Sequence, residues 1–98
     1  MAKALPHTGA IERGAQTTWA PLVRVVGENM ARDFMWMFEV ALECGVSVQA
    51  YKHIETRRYL HLNSDGVAYH YEPPDRYRIV PIGQAVAVTL ALVARQTL

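Results

Sequence analysis

Apolar residues recur at every second position through the middle of the chain and at helical spacing on either side of it. Residues 20–32, APLVRVVGENMAR, set Leu22, Val25, Val26 and Met30 on one side and Arg24, Glu28 and Arg32 on the other. That spacing predicts a helix, with Thr17 and Thr18 as candidate caps. Gly27 and the β-branched pair Val25–Val26 weaken it, so a short strand over 22–26 is the rival. FMWMFEVAL (34–42) is aromatic and β-branched and reads as a strand. VSVQAYKHI (46–54) follows after Glu43-Cys44-Gly45. A three-residue loop with Gly45 in the left-handed position opposes Leu42 to Val46, Val40 to Val48 and Phe38 to Ala50. A two-residue loop would mix apolar with polar positions, so the pattern selects three.

RRYLHLN (57–63) and VAYHYE (67–72) flank Asn63-Ser64-Asp65-Gly66, a strong turn signal. It opposes Leu62 to Ala68, Leu60 to His70 and Arg58 to Glu72, and on the other face His61 to Tyr69 and Tyr59 to Tyr71. The expected core face is the even one: Phe34, Trp36, Phe38, Val40, Leu42, Val46, Val48, Ala50, Leu60, Leu62 and Ala68, with Lys52 at its margin. The odd face would carry Met35, Met37, Glu39, Gln49, Tyr51, His53, Tyr59, His61, Tyr69 and Tyr71. No turn signal fixes the register across Ile54-Glu55-Thr56-Arg57.

Pro73-Pro74 ends the fourth strand, and RYRIV (76–80) is a candidate edge strand. IGQAVAVTLALVARQ (82–96) reads as a helix with Ile82, Val86, Leu90 and Val93 on one side, a strand over its middle being the alternative. The expected fold class is α+β. It is an antiparallel meander of four to five strands, one face covered by N- and C-terminal helices.

Composition narrows the functional classes. The chain has 98 residues, one domain's worth, read as a mobile arm over 1–17 and a single domain over 18–98. Apolar residues make up 51% and the net charge is +1, so no global field draws it to nucleic acid or to an anionic membrane. Its longest apolar run, AVAVTLALVA, is about half of the ~20 residues that span a bilayer, and no signal-peptide pattern opens the sequence. The expected location is cytoplasmic, without membrane partners.

Candidate chemistry concentrates in YKHIETRRYLHLNSDGVAYHY (51–71). The derived register separates His70 from His53 and His61, so a three-histidine metal site does not assemble. Cys44 sits in a tight turn with no local base, and no glycine-rich phosphate loop is present. Neither a catalytic residue, nor a metal, nor a cofactor is expected, and the protein reads as non-enzymatic. The odd face, with Met35, Met37, Tyr51, His53, Tyr59, His61, Tyr69 and Tyr71, is instead the candidate binding or interface surface. Tyrosine and methionine are enriched in interface cores, which favours a homo-oligomer, a dimer first. Single-stranded nucleic acid stacked on the same tyrosines is an alternative, with Lys52, Arg57, Arg58, Arg76 and Arg78 as candidate phosphate contacts. A small-molecule pocket between sheet and helix is a third reading.

The stretch AYKHIETRRYLHLNSDGVAYHY, preceded by DFMWMFEVAL, resembles segments of small uncharacterised bacterial proteins carried on mobile gene cassettes of the integron type. The resemblance covers residues 33–72. It implies a bacterial, self-contained domain and assigns no functional residue.

Overall fold

A computed structural model describes residues 2–4 and 15–91. The elements in chain order are β1 (Ala2–Lys3), α1 (Ala15–Ala31), β2 (Phe34–Ala41), β3 (Ser47–His53), β4 (Tyr59–Asn63), β5 (Ala68–Glu72), β6 (Arg76–Val80) and α2 (Ile82–Thr89). Strands β2 to β6 form the expected antiparallel meander, and β1 adds to β6, giving the order β1-β6-β5-β4-β3-β2. The fold class is α+β. Both ambiguous segments are helical: 22–26 lies within α1 and 82–89 forms α2. Residues 92–96 of the expected second helix lie outside the described residues. Of the segment read as an arm, residues 2–4 and 15–17 belong to β1, its following bridge and α1, while 5–14 lie outside the described residues.

Both strong turns form as the sequence requires. Leu42 N–H donates to Val46 O at 2.8 Å and Gly45 N–H to Leu42 O at 2.9 Å, which closes the three-residue loop. In the second turn the Asn63 side-chain oxygen accepts from the N–H groups of Asp65 and Val67 at 2.8 and 2.9 Å. Gly45 and Gly66 hold φ of 87° and 83°, the left-handed region these turns need. Val40 faces Val48, Phe38 faces Ala50, His61 faces Tyr69 and Leu62 faces Ala68, all in the expected register.

The assignment of faces is corrected in two places. Met37 is bulged out of the β2–β3 ladder, so Trp36 pairs with Tyr51 while Phe38 pairs with Ala50. One extra residue reverses the alternation, and Trp36 and Phe38 project from opposite faces. The second reversal is in the 54–58 loop, where His53 N–H donates to Arg58 O and Arg57 N–H to His53 O, both at 2.8 Å. Arg57 takes a φ of 66° there. The register that results opposes Tyr51 to Leu60 and Ala50 to His61. Odd residues of β3 therefore share a face with even residues of β4.

Each face buries its own core. Leu22, Ala31, Phe34, Tyr51, Leu60, Leu62, Ala68 and Val80 form one cluster, joined by Trp19, Val25, Val26 and Met30 of α1 and by Ala85 and Val86 of α2. Leu42, Val48, Tyr69 and Tyr77 form the second, with Ala4, Val40, Val46 and Val67 around them. Ala4 bridges to Leu42 at one edge of the sheet and donates its N–H to Asp75 O beside the other edge, at 2.7 Å. One short segment touching both edges requires the sheet to curl around the second cluster. Gly27, with φ 85° and ψ 162°, breaks α1 so that its last turn redirects the chain into β2.

The face correction has a measurable consequence. Tyr51 is fully buried whereas Tyr71 is 38% exposed. Tyr51→Ala is expected to cost about 3–5 kcal/mol in urea unfolding, and Tyr71→Ala less than about 1.5 kcal/mol. Equal costs would contradict the reversal of alternation at the 54–58 loop.

Candidate functional site

The β4–β5 ladder holds only the pairs His61–Tyr69 and Leu62–Ala68. The expected pairs Leu60–His70 and Tyr59–Tyr71 do not form, because β5 turns instead to β6. Along that neighbour it pairs over its whole length, from Ala68–Val80 to Glu72–Arg76. The strands part beside Tyr59 and Leu60, and α2 lies against the gap. The buried Thr89 hydroxyl stands 3.2 Å from the Tyr59 carbonyl and 2.9 Å from the Ala85 carbonyl of its own helix. Its single proton serves both acceptors. The Thr56 hydroxyl, itself accepting from Arg58 N–H at 3.2 Å, donates to the Thr89 carbonyl at 2.7 Å. The 54–58 loop thus holds the C-terminal end of α2 in place.

A cleft of about 1130 Å³ opens at this gap, and its lining draws on both faces of the sheet. From the curled inner face come Phe38, Tyr59, His61, Tyr71 and Tyr77; from the other side come Arg58, Leu60 and Arg78 with Gln84, Ala85 and Val88 of α2. The aromatic side is one connected array with His61 at its centre. Its imidazole stacks on Tyr59 at 5.8 Å between ring centres with planes 16° apart, and meets Tyr77 edge-on at 5.4 Å. Tyr71 lies 6.5 Å from His61 and 5.2 Å from Tyr77, and Phe38 lies 6.1 Å from Tyr59. The Tyr71 hydroxyl donates to Pro74 O at 2.7 Å, which fixes that ring.

His61 is 7% exposed. Burial first, and the neighbouring charge of His70 second, push its pKa down from 6.5 to about 4. The imidazole is therefore neutral at neutral pH. Burial, and then Tyr71, raise the Tyr77 phenol in turn.

Of the residues read as one binding face, Tyr59, His61, Tyr69 and Tyr71 do line the cleft. Tyr51 and His53 do not. Tyr51 packs under Trp19 of α1, 5.8 Å between ring centres, and burial raises its phenol pKa against a backbone hydrogen bond with Leu22. His53 meets Phe34 edge-on at 4.9 Å and accepts from Thr56 N–H at 3.1 Å, a structural histidine of the loop. Met35 and Met37 are exposed on the edge strand β2. The four tyrosines consequently do not make one open platform, since only Tyr59 and Tyr71 remain exposed. Among the described residues no three His, Cys, Asp or Glu side chains gather as metal ligands.

The basic residues divide as well. Arg58 and Arg78 border the cleft. Arg78, not Arg58, pairs with Glu72, at 3.0 Å, because β6 rather than β4 lies beside that end of β5. Arg76 is 3.8 Å from Asp75, Arg57 is exposed in its loop, and the Lys52 ammonium sits 5.9 Å over the Tyr59 ring. Lys52 is thus on the Tyr59 side rather than at the margin of the first core cluster, a consequence of the register set by the 54–58 loop. Sequence reading offered a pocket between sheet and helix but named neither Phe38, nor Tyr77, nor any residue of α2 as part of it. The Tyr77 signal was present: reading Pro73-Pro74-Asp75 as a turn, with Glu72 set opposite a basic residue, aligns Tyr77 with Tyr71.

Glu39 belongs to the helix side. Trp36 Nε1–H donates to Gln49 Oε1 at 2.7 Å, and Gln49 Nε2–H donates to Glu39 Oε2 at 3.0 Å. This buried chain satisfies the polar groups that the Met37 bulge turns inward.

Stability should fall with acid in a window set by His61. Above about pH 6.5 both folded and unfolded chains carry it neutral. Below that, the unfolded chain takes up a proton that the folded chain resists, until the penalty is complete near pH 4. The expected loss is on the order of 3 kcal/mol. Urea unfolding across this range should show a shallower decline in His61→Phe than in the parent; parallel declines would contradict a buried neutral imidazole.

No helix of the described residues is long and apolar enough to cross a membrane. No protein-family model, curated protein or solved structure matches the chain, so the functional reading rests on this geometry.

Proposed function

We propose that the chain is a small-molecule-binding module whose ligand enters the cleft between β4 and β5 beside α2. The observation that carries this reading is the parting of the two strands beside a connected aromatic array. Backbone polar groups in a sheet are ordinarily paired, so a gap stabilised by a helix hydroxyl is a built feature of the fold. The cleft's volume, about 1130 Å³, is slightly above the ~300–1,000 Å³ usual for small-molecule sites. Its lining of aromatic rings with a few polar groups also fits such sites. In this reading both helices lie over the Tyr51–Leu60 face, which leaves the His61 face to the ligand. The role is binding rather than catalysis.

Self-association remains a second, compatible reading, supported by β2. This edge strand runs eight residues, Phe34–Ala41, and exposes Met35, Met37 and Phe38. A long apolar edge is a template for a second copy, although the Met37 bulge limits how far a paired strand extends.

Two measurements separate these readings. In an NMR titration with a library of small aromatic compounds, binding should move resonances of Tyr59, His61, Tyr77, Ala85 and Val88 and leave Met35 and Tyr51 still. Shifts confined to Met35 and Met37, or none, would reject the cleft as the binding site. Light scattering on a size-exclusion column should show a dimer that Met35→Lys weakens; a monomer at every concentration would remove the edge-strand reading.

A further inference from the structure

His61 brings two ring nitrogens into the lining of the cleft. It is more than nine-tenths buried, yet among the described residues neither ring nitrogen has a hydrogen-bond partner. Among the described residues no buried side-chain nitrogen or oxygen wholly sealed from solvent is left unpartnered, so a His61 nitrogen reaches the surface of the cleft it lines. The Thr89 hydroxyl, also in the lining, is by contrast engaged within the protein by two carbonyls. A neutral imidazole nitrogen facing a cavity is a recognition group awaiting a partner.

The surroundings restrict that partner. Tyr59, Tyr71 and Tyr77 around His61 present ring faces and edges that suit a flat aromatic ligand. His61 is buried to more than nine-tenths, so a ligand group that reaches its ring leaves water, at a cost that is highest for a charge. A neutral imidazole has one donor and one acceptor nitrogen, and a hydroxyl can satisfy either. Arg78 is engaged by Glu72 and Arg58 points toward Val88 O at 3.5 Å, so neither reaches in as a dedicated anion clamp.

We propose that His61 is the recognition residue of the cleft and that the ligand is an uncharged, planar aromatic compound bearing a hydroxyl group, which hydrogen-bonds the imidazole. This rests on the small-molecule reading above and goes beyond it by naming the ligand class and the residue that selects it.

The test uses one ring system with three different groups. Naphthol, naphthalene and naphthoate are titrated into the full chain at neutral pH, with affinity read from the chemical shifts of Tyr77 and Ala85. Naphthol is expected to bind about tenfold more tightly than naphthalene, the margin of one buried hydrogen bond. Naphthoate should bind more weakly than naphthol. His61→Phe, which keeps a ring in the array, should bring the naphthol-to-naphthalene ratio to about one. Should that variant not fold, the imidazole nitrogen resonances of the parent decide the matter, since naphthol must move them and naphthalene must not. Equal binding of naphthol and naphthalene to the parent overturns the role of His61 and leaves the cleft as a binding site. Naphthoate binding as tightly as naphthol overturns the uncharged ligand class. Failure of all three to bind overturns this proposal and the small-molecule reading together.

Discussion

The pairing of Tyr51 with Leu60 across the 54–58 loop is the constraint on which the rest of the molecule depends. It fixes which side of the sheet each strand shows to α1 and which side curls inward. With that register, Leu60 and Leu62 join Tyr51 in the cluster that residues of α1 and α2 pack against, and Tyr59 and His61 turn to the opposite face beside Phe38 and Tyr77. The Met37 bulge makes the arrangement consistent. It allows Phe34 and Trp36 to serve the first core and Val40 to serve the second within a single strand. A small domain with two apolar clusters on either side of one sheet buries more surface than a flat sheet with one wet face would. This accounts for β3, which is buried along most of its length on both sides.

Curling the sheet has a cost that falls between β4 and β5. A strand that follows β6 over five residues, Ala68 to Glu72, cannot also follow β4 past Leu62. The freed backbone is answered from α2, through the Thr89 hydroxyl at the Tyr59 carbonyl and the Thr56 hydroxyl at the Thr89 carbonyl. The same loop that sets the register of β4 therefore anchors the helix beside the gap. The cleft opens where the packing solution parts the strands, and its aromatic wall follows from the parity that puts Tyr59, His61, Tyr71 and Tyr77 on the inner face. The same parity separates His53 from His61, and Tyr51 from Tyr59.

The sequence by itself determined the turns, the strand order of the meander and the α+β class, while it left 22–26 and the middle of 82–96 open between helix and strand. These depend on local chemistry, a left-handed glycine or an asparagine oxygen that caps a turn, and on patterns a few residues long. It also pointed to Tyr59, His61, Tyr69 and Tyr71 as face-sharing neighbours, since one strong turn sets their alternation. Only the tertiary structure decided where the alternation reverses. Phe34 to Phe38 are five consecutive large apolar residues, so no contrast within them shows which residue is extruded. Ile54 to Arg58 hold no glycine or proline to fix the loop's length, and the register there comes from burying Tyr51 against α1. A site assembled from Phe38, His61, Tyr77 and α2 depends on both reversals at once. They are set by packing between segments far apart in the chain, which no local pattern records.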